Sequence, residues 1–181
     1  MTLISIITDA LATIGRSTDA QSMEAWKQKF TIFANDGARD LAQYLQLRRT
    51  DTITASDNQI DVNDLPNVCL KVLSVKQGSS ELSFVMGNSR ETINVGVDGD
   101  VDVEYRYIPK DMADDIDQPG IPENLHHLTV PYVVFREHMT ADPSTQRRSD
   151  LFWQVYDQGR HEAKKTYGEE DTYKIYNAGW F

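Results

Sequence analysis

Apolar residues recur at helical spacing between Ser22 and Leu45. The bulky members of this stripe are Trp26, Phe30, Phe33, Leu41, Tyr44 and Leu45. Their spacing predicts one amphipathic helix. Ala34, Gly37 and Ala38 lie between the bulky residues, so we expect another helix to approach closely there. Gly37 costs about 1 kcal/mol relative to alanine in a helix interior and marks the weak point of this helix.

A shorter helix precedes this stretch. Apolar residues step by three and four from Leu3 to Ile14, and Gly15 follows as a stop signal. The segment Ser17 to Asp19 contains residues that cap helices. Because the connection is short, we expect the two helices to pack as a hairpin.

Helical spacing returns after residue 122. One helix is predicted from Glu123 to Thr140, and Pro131 should kink it or split it after Val130. Asp142 and the two residues after it break the chain, and a last helix is predicted from Thr145 to Tyr167. Its apolar face comprises Leu151, Phe152, Val155, Tyr156, Gly159 and Ala163.

Apolar and polar residues alternate with period two between Gln46 and Ile108. Turn residues at Asp57-Asn58, Gly78-Ser79 and Gly87-Asn88 divide this region into five to seven short strands. Asp98-Gly99 is the strongest short hairpin signal in the chain. We therefore expect a compact antiparallel sandwich or open barrel whose sheets are solvated on one face.

The predicted fold class is α+β. An up-down bundle of about four helices comprises residues 1–45 and 123–168, and a β-rich module, residues 46–108, is inserted into it. Residues 109–122 form an acidic loop, and residues 169–181 form an extended C-terminal tail rich in aromatic residues.

Composition narrows the classes of protein. The 181 residues are 40% hydrophobic and 25% charged, which suffices for a packed core. The net charge of −10 opposes tight binding to nucleic acid. The single cysteine, Cys69, excludes an intrachain disulfide and is expected in the core.

The first 15 residues lack a basic signal-peptide region, and no apolar run reaches the roughly 20 residues of a membrane span, so we expect a soluble, non-secreted protein.

Acidic residues concentrate between Asp98 and Asp117, where they are opposed only by Arg106 and Lys110. The members considered as a surface edge are Asp98, Asp100, Asp111, Asp114, Asp115 and Asp117. Their spacing does not match an EF-hand calcium loop. A solvated acidic edge is the expectation, with a calcium site as the alternative.

The sequence predicts no catalytic, cofactor-binding or metal-binding residue, so the chain is not expected to be an enzyme. The adjacent His126 and His127 would point about 100° apart on a helix and could not easily share a metal. These two, like His138 and His161, are interpreted as surface or interface histidines. The sequence also lacks a phosphate-binding glycine loop and a basic, aromatic nucleic-acid platform.

The C-terminal tail is the most distinctive segment. Its apolar residues are Tyr173, Ile175, Tyr176, Trp180 and Phe181. Four aromatic side chains would bury about 600–1000 Å² when docked. The tail either folds back on its own bundle or docks on a neighbouring subunit or another protein.

The order of these elements resembles that of the head–tail adaptor (connector) proteins of tailed bacteriophages, over most of the chain. The segments that carry the resemblance are MTLISIITDALATIG, WKQKFTIFANDGARDLAQYL, RRTDTITASDNQIDVNDLPNVCLKVLSVK, VDVEYRYIPKDM, IPENLHHLTVPYVVFREHMTADPSTQ and the aromatic tail.

The resemblance implies a ring, usually a dodecamer, in the neck of the virion. This ring would join the portal protein to a tail or nozzle protein, and the chain would be in the host cytoplasm during assembly. DNA would pass through the ring without specific binding. Tyr173, Ile175, Tyr176, Trp180 and Phe181 would contact the portal, and the acidic edge would face the lumen or the tail. The alternatives are a tail-completion or terminator protein and, in another class, a small metal-binding module or enzyme.

Overall fold

The computed structural model describes residues 1–87, 91–140 and 143–167. These residues form an α+β fold with four α-helices and two antiparallel sheets. The predicted α+β class is therefore confirmed, and the described strands do not close into a barrel. None of the described helices combines the length and the apolarity that a membrane span requires.

The N-terminal helices form as the sequence predicts. Helix α1 comprises Leu3–Thr13, and helix α2 comprises Ala20–Leu45. After α1 the chain turns at Gly15, which has a φ of +73°. The Asp19 side chain accepts a hydrogen bond of 2.8 Å from the Ser22 amide and so caps α2.

Seven strands occupy the described part of the predicted β-region. They are β1 (Arg48–Ala55), β2 (Gln59–Asp61), β3 (Val68–Gln77), β4 (Ser80–Leu82), β5 (Val85–Met86), β6 (Thr92–Asn94) and β7 (Gly99–Ile108). A short 3₁₀ helix, Val62–Asp64, follows β2. One sheet has the order β1-β7-β3-β4 and the other has the order β2-β6-β5.

The hairpin predicted at Asp98-Gly99 is wrong. Strand β6, which precedes this dipeptide, pairs with β2 and β5, whereas β7 pairs with β1 and β3. The chain therefore crosses from one sheet to the other here. Gly99 has a φ of +100°, and the Asp98 carboxylate accepts a hydrogen bond from the Asn58 amide. The residues typical of a tight turn are present, but here they lie where the chain crosses from one sheet to the other.

Strand β3 departs from simple alternation. Its pairing with β7 shifts register between Cys69 and Lys71 and again between Val72 and Ser74. These bulges leave Val68 and Leu70 exposed, while Val72 is buried. The apolar alternation of Val68, Leu70 and Val72 therefore does not produce one buried face, and Cys69, which was expected in the core, is only half-buried.

The C-terminal helical region begins with a 3₁₀ helix, Glu123–Leu128, followed by α3 (Thr129–Thr140) and α4 (Pro143–Tyr167). The predicted split is present, but it precedes Thr129 instead of following Val130. Pro131 consequently lies in the first turn of α3, where a backbone N–H has no partner within the helix.

Helix α2 links two hydrophobic clusters. Phe30, Phe33 and Ala34 pack with buried residues of α1 and α3. Leu41 and Leu45, farther along α2, pack in a second cluster with residues of both sheets and of α4. The close approach expected at the small residues is confirmed, because a Cβ on Gly37 would lie 2.9 Å from Cδ1 of Tyr132 on α3.

Candidate functional site

The predicted acidic edge is divided into two groups. Asp98 and Asp100 lie at the start of β7, and Asp111, Asp114, Asp115 and Asp117 lie in the loop that follows its end. The ten residues of β7 place the groups about 30 Å apart. The acidic stretch is therefore two local surfaces, each with its own partners.

The β7 group is bonded to neutral donors of β1 and its turn. The Thr54 hydroxyl donates to Asp100, and the Thr52 hydroxyl donates to Asp102, each over 2.6 Å. The Asn58 amide donates to Asp98 over 2.7 Å. Because neutral donors leave the carboxylate charge in place, this end of the sheet presents a negative surface to solvent.

The loop group is tied more closely to the protein. Arg39 of α2 pairs with Asp111, and Lys27 of α2 lies 2.8 Å from Asp115. The Asp117 carboxylate accepts hydrogen bonds from the amides of Ala113 and Asp114, which lower the pKa of Asp117 below its ordinary value. Most of these carboxylates therefore already have partners within the fold.

The same loop caps the first helix. The backbone carbonyl groups of Asp117 and Asp115 accept hydrogen bonds from the Leu3 and Ile4 amides. Such amides at a helix N-terminus have no partner within the helix. The buried Asn35 side chain of α2 bonds both the amide and the carbonyl group of Met112 and fixes the loop against the bundle. The loop thus has a structural role that its composition does not reveal.

The histidines differ from their predicted surface positions. His126 is 2% exposed, and its ring nitrogens lie 2.9 Å from the Ile121 carbonyl oxygen and 3.0 Å from the Met1 amine. His138 is also buried and stacks on Phe152. His127 and His161 are exposed, as expected. The interpretation as surface or interface histidines is wrong for His126 and His138. His126 contacts the Ile121 carbonyl group and the Met1 amine, and Phe152 of α4 stacks on His138.

No three His, Cys, Asp or Glu side chains converge as a metal site within the residues that the structure describes. Burial raises the pKa of the Cys69 thiol above its ordinary value. The predicted portal-contacting residues Tyr173, Ile175, Tyr176, Trp180 and Phe181 lie outside the described residues.

The sequence reasoning missed an apolar groove beside α4. The groove has a volume of about 440 Å³ and is bordered by Val130 and Pro131 of α3 and by Phe152 and Val155 of α4. The predicted apolar face of α4 is correct for Tyr156 but wrong in extent, because Leu151 and Val155 are exposed. The sequence signal for it is the width of the predicted apolar face of α4, which has six apolar or small positions.

The described residues thus offer a negative strand end, a loop that caps α1 and an apolar groove as surfaces for interaction. No protein-family model and no curated protein matches this chain.

Proposed function

We propose that this chain is a structural virion protein, a head–tail adaptor that forms a ring between the portal and the tail of a bacteriophage. The observation that carries the proposal is the return of the chain to its first helices after the β-region. Helix α3 packs on α1 and α2, and α4 packs on α2 and α3. This order agrees with the one that the resemblance implies.

In this proposal the helices form an up-down bundle, residues 1–45 and 123–168, and residues 46–108 are a β-module inserted into it. The shared core supports a rigid connection between them, because Leu45 of α2 packs in one cluster with Val103 of β7 and Tyr156 of α4. An adaptor that holds two different partners in register needs such a connection between its two ends.

The negatively charged surface at the start of β7 fits this proposed function. A ring that lines the DNA exit channel must let the phosphate backbone pass without retaining it, and negative charge opposes binding of phosphates. We assign Asp98 and Asp100 to a surface that faces the lumen or the tail. The loop aspartates Asp111, Asp114, Asp115 and Asp117 belong to the same proposal, although several of them also bond within the chain.

The proposed contact with the portal is the C-terminal tail, with Tyr173, Ile175, Tyr176, Trp180 and Phe181 as its anchors. Aromatic side chains often dominate the energy of protein interfaces. Repetition around a ring would multiply contacts that are modest in one copy. The proposed role is architectural, so we assign it no cofactor, metal or catalytic residue.

Electron microscopy of purified virions with a label on this protein tests the proposal. We expect label at the neck between capsid and tail, with a label on the major capsid protein as the control. Virions that lack the protein would refute the proposal. Label at the far end of the tail would likewise refute the adaptor role.

A further inference from the structure

Helix α4 carries apolar side chains that the rest of the described chain does not cover. Leu151 is 60% exposed and Val155 is 57% exposed, although they lie one turn apart beside buried Tyr156. Residues four positions apart on a helix share a face. The apolar stripe on α4 is therefore wider than the part of it that packs against the core.

This stripe borders the groove beside α4. Leu128, Val130 and Pro131 form one part of the lining, and Phe152 and Val155 of α4 form another. Its volume of about 440 Å³ lies in the range of sites that hold small molecules or side chains. The groove thus has room for large apolar side chains next to an exposed apolar stripe.

The groove continues toward the end of α4. A second cavity of about 260 Å³ shares His127, Leu128, Gly159 and Glu162 with the first. Its lining extends to Thr166 and Tyr167, the last described residues of α4. The two cavities therefore follow α4 to the point from which residues 168–181 continue.

We propose that this groove binds the chain's own C-terminal segment, residues 168–181, before the protein meets its partner. From Phe152 to Tyr167 the helix is about 22 Å long. The 14 residues of the segment reach up to about 45 Å when extended. The segment is therefore long enough to turn after Tyr167 and run back along the whole groove.

The chemistry of the segment matches that of the groove. Its apolar residues would cover the stripe formed by Leu151 and Val155, which are exposed in the described chain. Attachment through Tyr167 gives the segment an effective concentration on the order of millimolar. Even a weak intrinsic affinity would then fill the groove.

The consequence for regulation rests on the proposed function. The aromatic residues that would anchor the portal are the residues that the groove would hold. Docking on the portal would therefore require release of the segment, which would keep unassembled copies from presenting their aromatic side chains to one another. The binding itself is a property of the isolated chain and can be tested without a partner.

Methyl NMR spectra of the full chain and of a chain that ends at Tyr167 test the proposal. Aromatic rings in the groove should shift the methyl resonances of Leu128 and Val130 in the full chain only. The methyl resonances of Ile93 in the β-sheet core serve as the internal reference and should not move. A peptide of residues 168–181 added to the shortened chain should restore the shifts.

Two variants make the test specific. Val155→Asp places a charge in the groove and should abolish the shifts that depend on the tail. Val85→Asp replaces a valine on β5 that is 71% exposed and should leave them intact. Identical spectra for the full and the shortened chain would overturn the proposal. Shifts that disappear on dilution would also overturn it, because the occupant would then be the tail of another copy.

The NMR outcome and the virion experiment are independent. Tail-dependent shifts in a protein that is absent from virions would support the groove and refute the adaptor. Label at the neck with no tail-dependent shifts would support the adaptor and refute the groove.

Discussion

The hydroxyl group of Tyr156, a side chain with no solvent exposure, donates a hydrogen bond of 2.5 Å to the carboxylate of Asp40. The guanidinium of Arg160 lies 3.1 Å from the same carboxylate oxygen. The guanidinium carbon is 4.4 Å from the centre of the Tyr44 ring. These contacts tie α4 to α2 beside the hydrophobic cluster that contains Leu41 and Tyr156.

We expect Tyr156→Phe to lower the free energy of unfolding by about 1–2 kcal/mol, because it keeps the ring and removes the donor. Burial and the Asp40 carboxylate raise the pKa of the Tyr156 phenol well above its usual range, so the hydroxyl remains a donor at ordinary pH. Urea denaturation measures the change. Tyr44→Phe keeps its ring beneath Arg160 and is the control, with an expected change within about 0.5 kcal/mol. Equal losses in the two variants would contradict the prediction.

The contact between Gly37 and Tyr132 leads to a second prediction. Alanine normally stabilises a helix relative to glycine by about 1 kcal/mol. Here the new Cβ would lie 2.9 Å from Cδ1 and 3.1 Å from Cγ of Tyr132, at the base of a ring that cannot move away alone. We expect Gly37→Ala to destabilise the protein by about 1–3 kcal/mol in urea denaturation.

Gly159→Ala is the matched control for this substitution. Its Cβ would meet the terminal methyl groups of Leu128, which can change rotamer. We therefore expect a smaller loss than at Gly37. Stabilisation by Gly37→Ala would show that α2 and α3 can separate at little cost.

The helices were predictable because each signal is local. Asp19, Gly15 and the apolar spacing of α2 act within a few residues of one another, and the structure confirms the helices that they predict. The two-residue turn at Asp57-Asn58 is equally local, and both residues have positive φ as expected for a tight hairpin turn.

The failures concern contacts between distant residues. Nothing near Asp98 in the sequence shows that β7 pairs with β1 instead of β6. Likewise, His126 is buried by its bond to the Ile121 carbonyl and by the Met1 amine, which is 125 residues away. The groove was not predicted for the same reason, because the spacing of Leu151 and Val155 indicates an apolar face but does not show whether another element covers it.

Buried His138 gives a prediction for pH. Burial, then the positive charge of Arg148, lowers the pKa of His138 from its ordinary value of 6.5, against a smaller opposite effect of Glu137. The unfolded chain therefore binds this proton more readily. Above about pH 7.5 His138 is neutral in both the folded and the unfolded state and does not affect the free energy of unfolding. As the pH falls through about 6.5 toward the folded pKa, the unfolded chain takes up the proton first, so the free energy of unfolding decreases.

We expect the loss of stability between about pH 7.5 and 5.5 to be smaller in His138→Gln than in the parent protein. Urea denaturation at the two pH values measures it, and NMR titration of the ring protons gives the pKa directly. Val85→Ala, at a valine that is 71% exposed and does not titrate, is the control and should keep the pH dependence of the parent. A His138 pKa at or above 6.5 would refute the prediction.

The acidic loop gives the last prediction, which addresses the calcium alternative. Calcium takes six to eight oxygen ligands. In this loop Asp111 and Asp115 pair with Arg39 and Lys27, and Asp117 bonds two amides. Calcium would have to displace these partners and weaken the cap on α1. We therefore expect millimolar calcium to leave the melting temperature unchanged.

Differential scanning calorimetry with calcium, and with magnesium as the ionic-strength control, measures this. The prediction would be contradicted if calcium, but not magnesium, raised the melting temperature and the double substitution Asp114→Asn and Asp115→Asn abolished that rise. Asp98→Asn with Asp100→Asn is the matched control, because it removes the same charge at the far end of β7. A calcium effect lost only in the control pair would also contradict the prediction, and it would place the ion at the strand end.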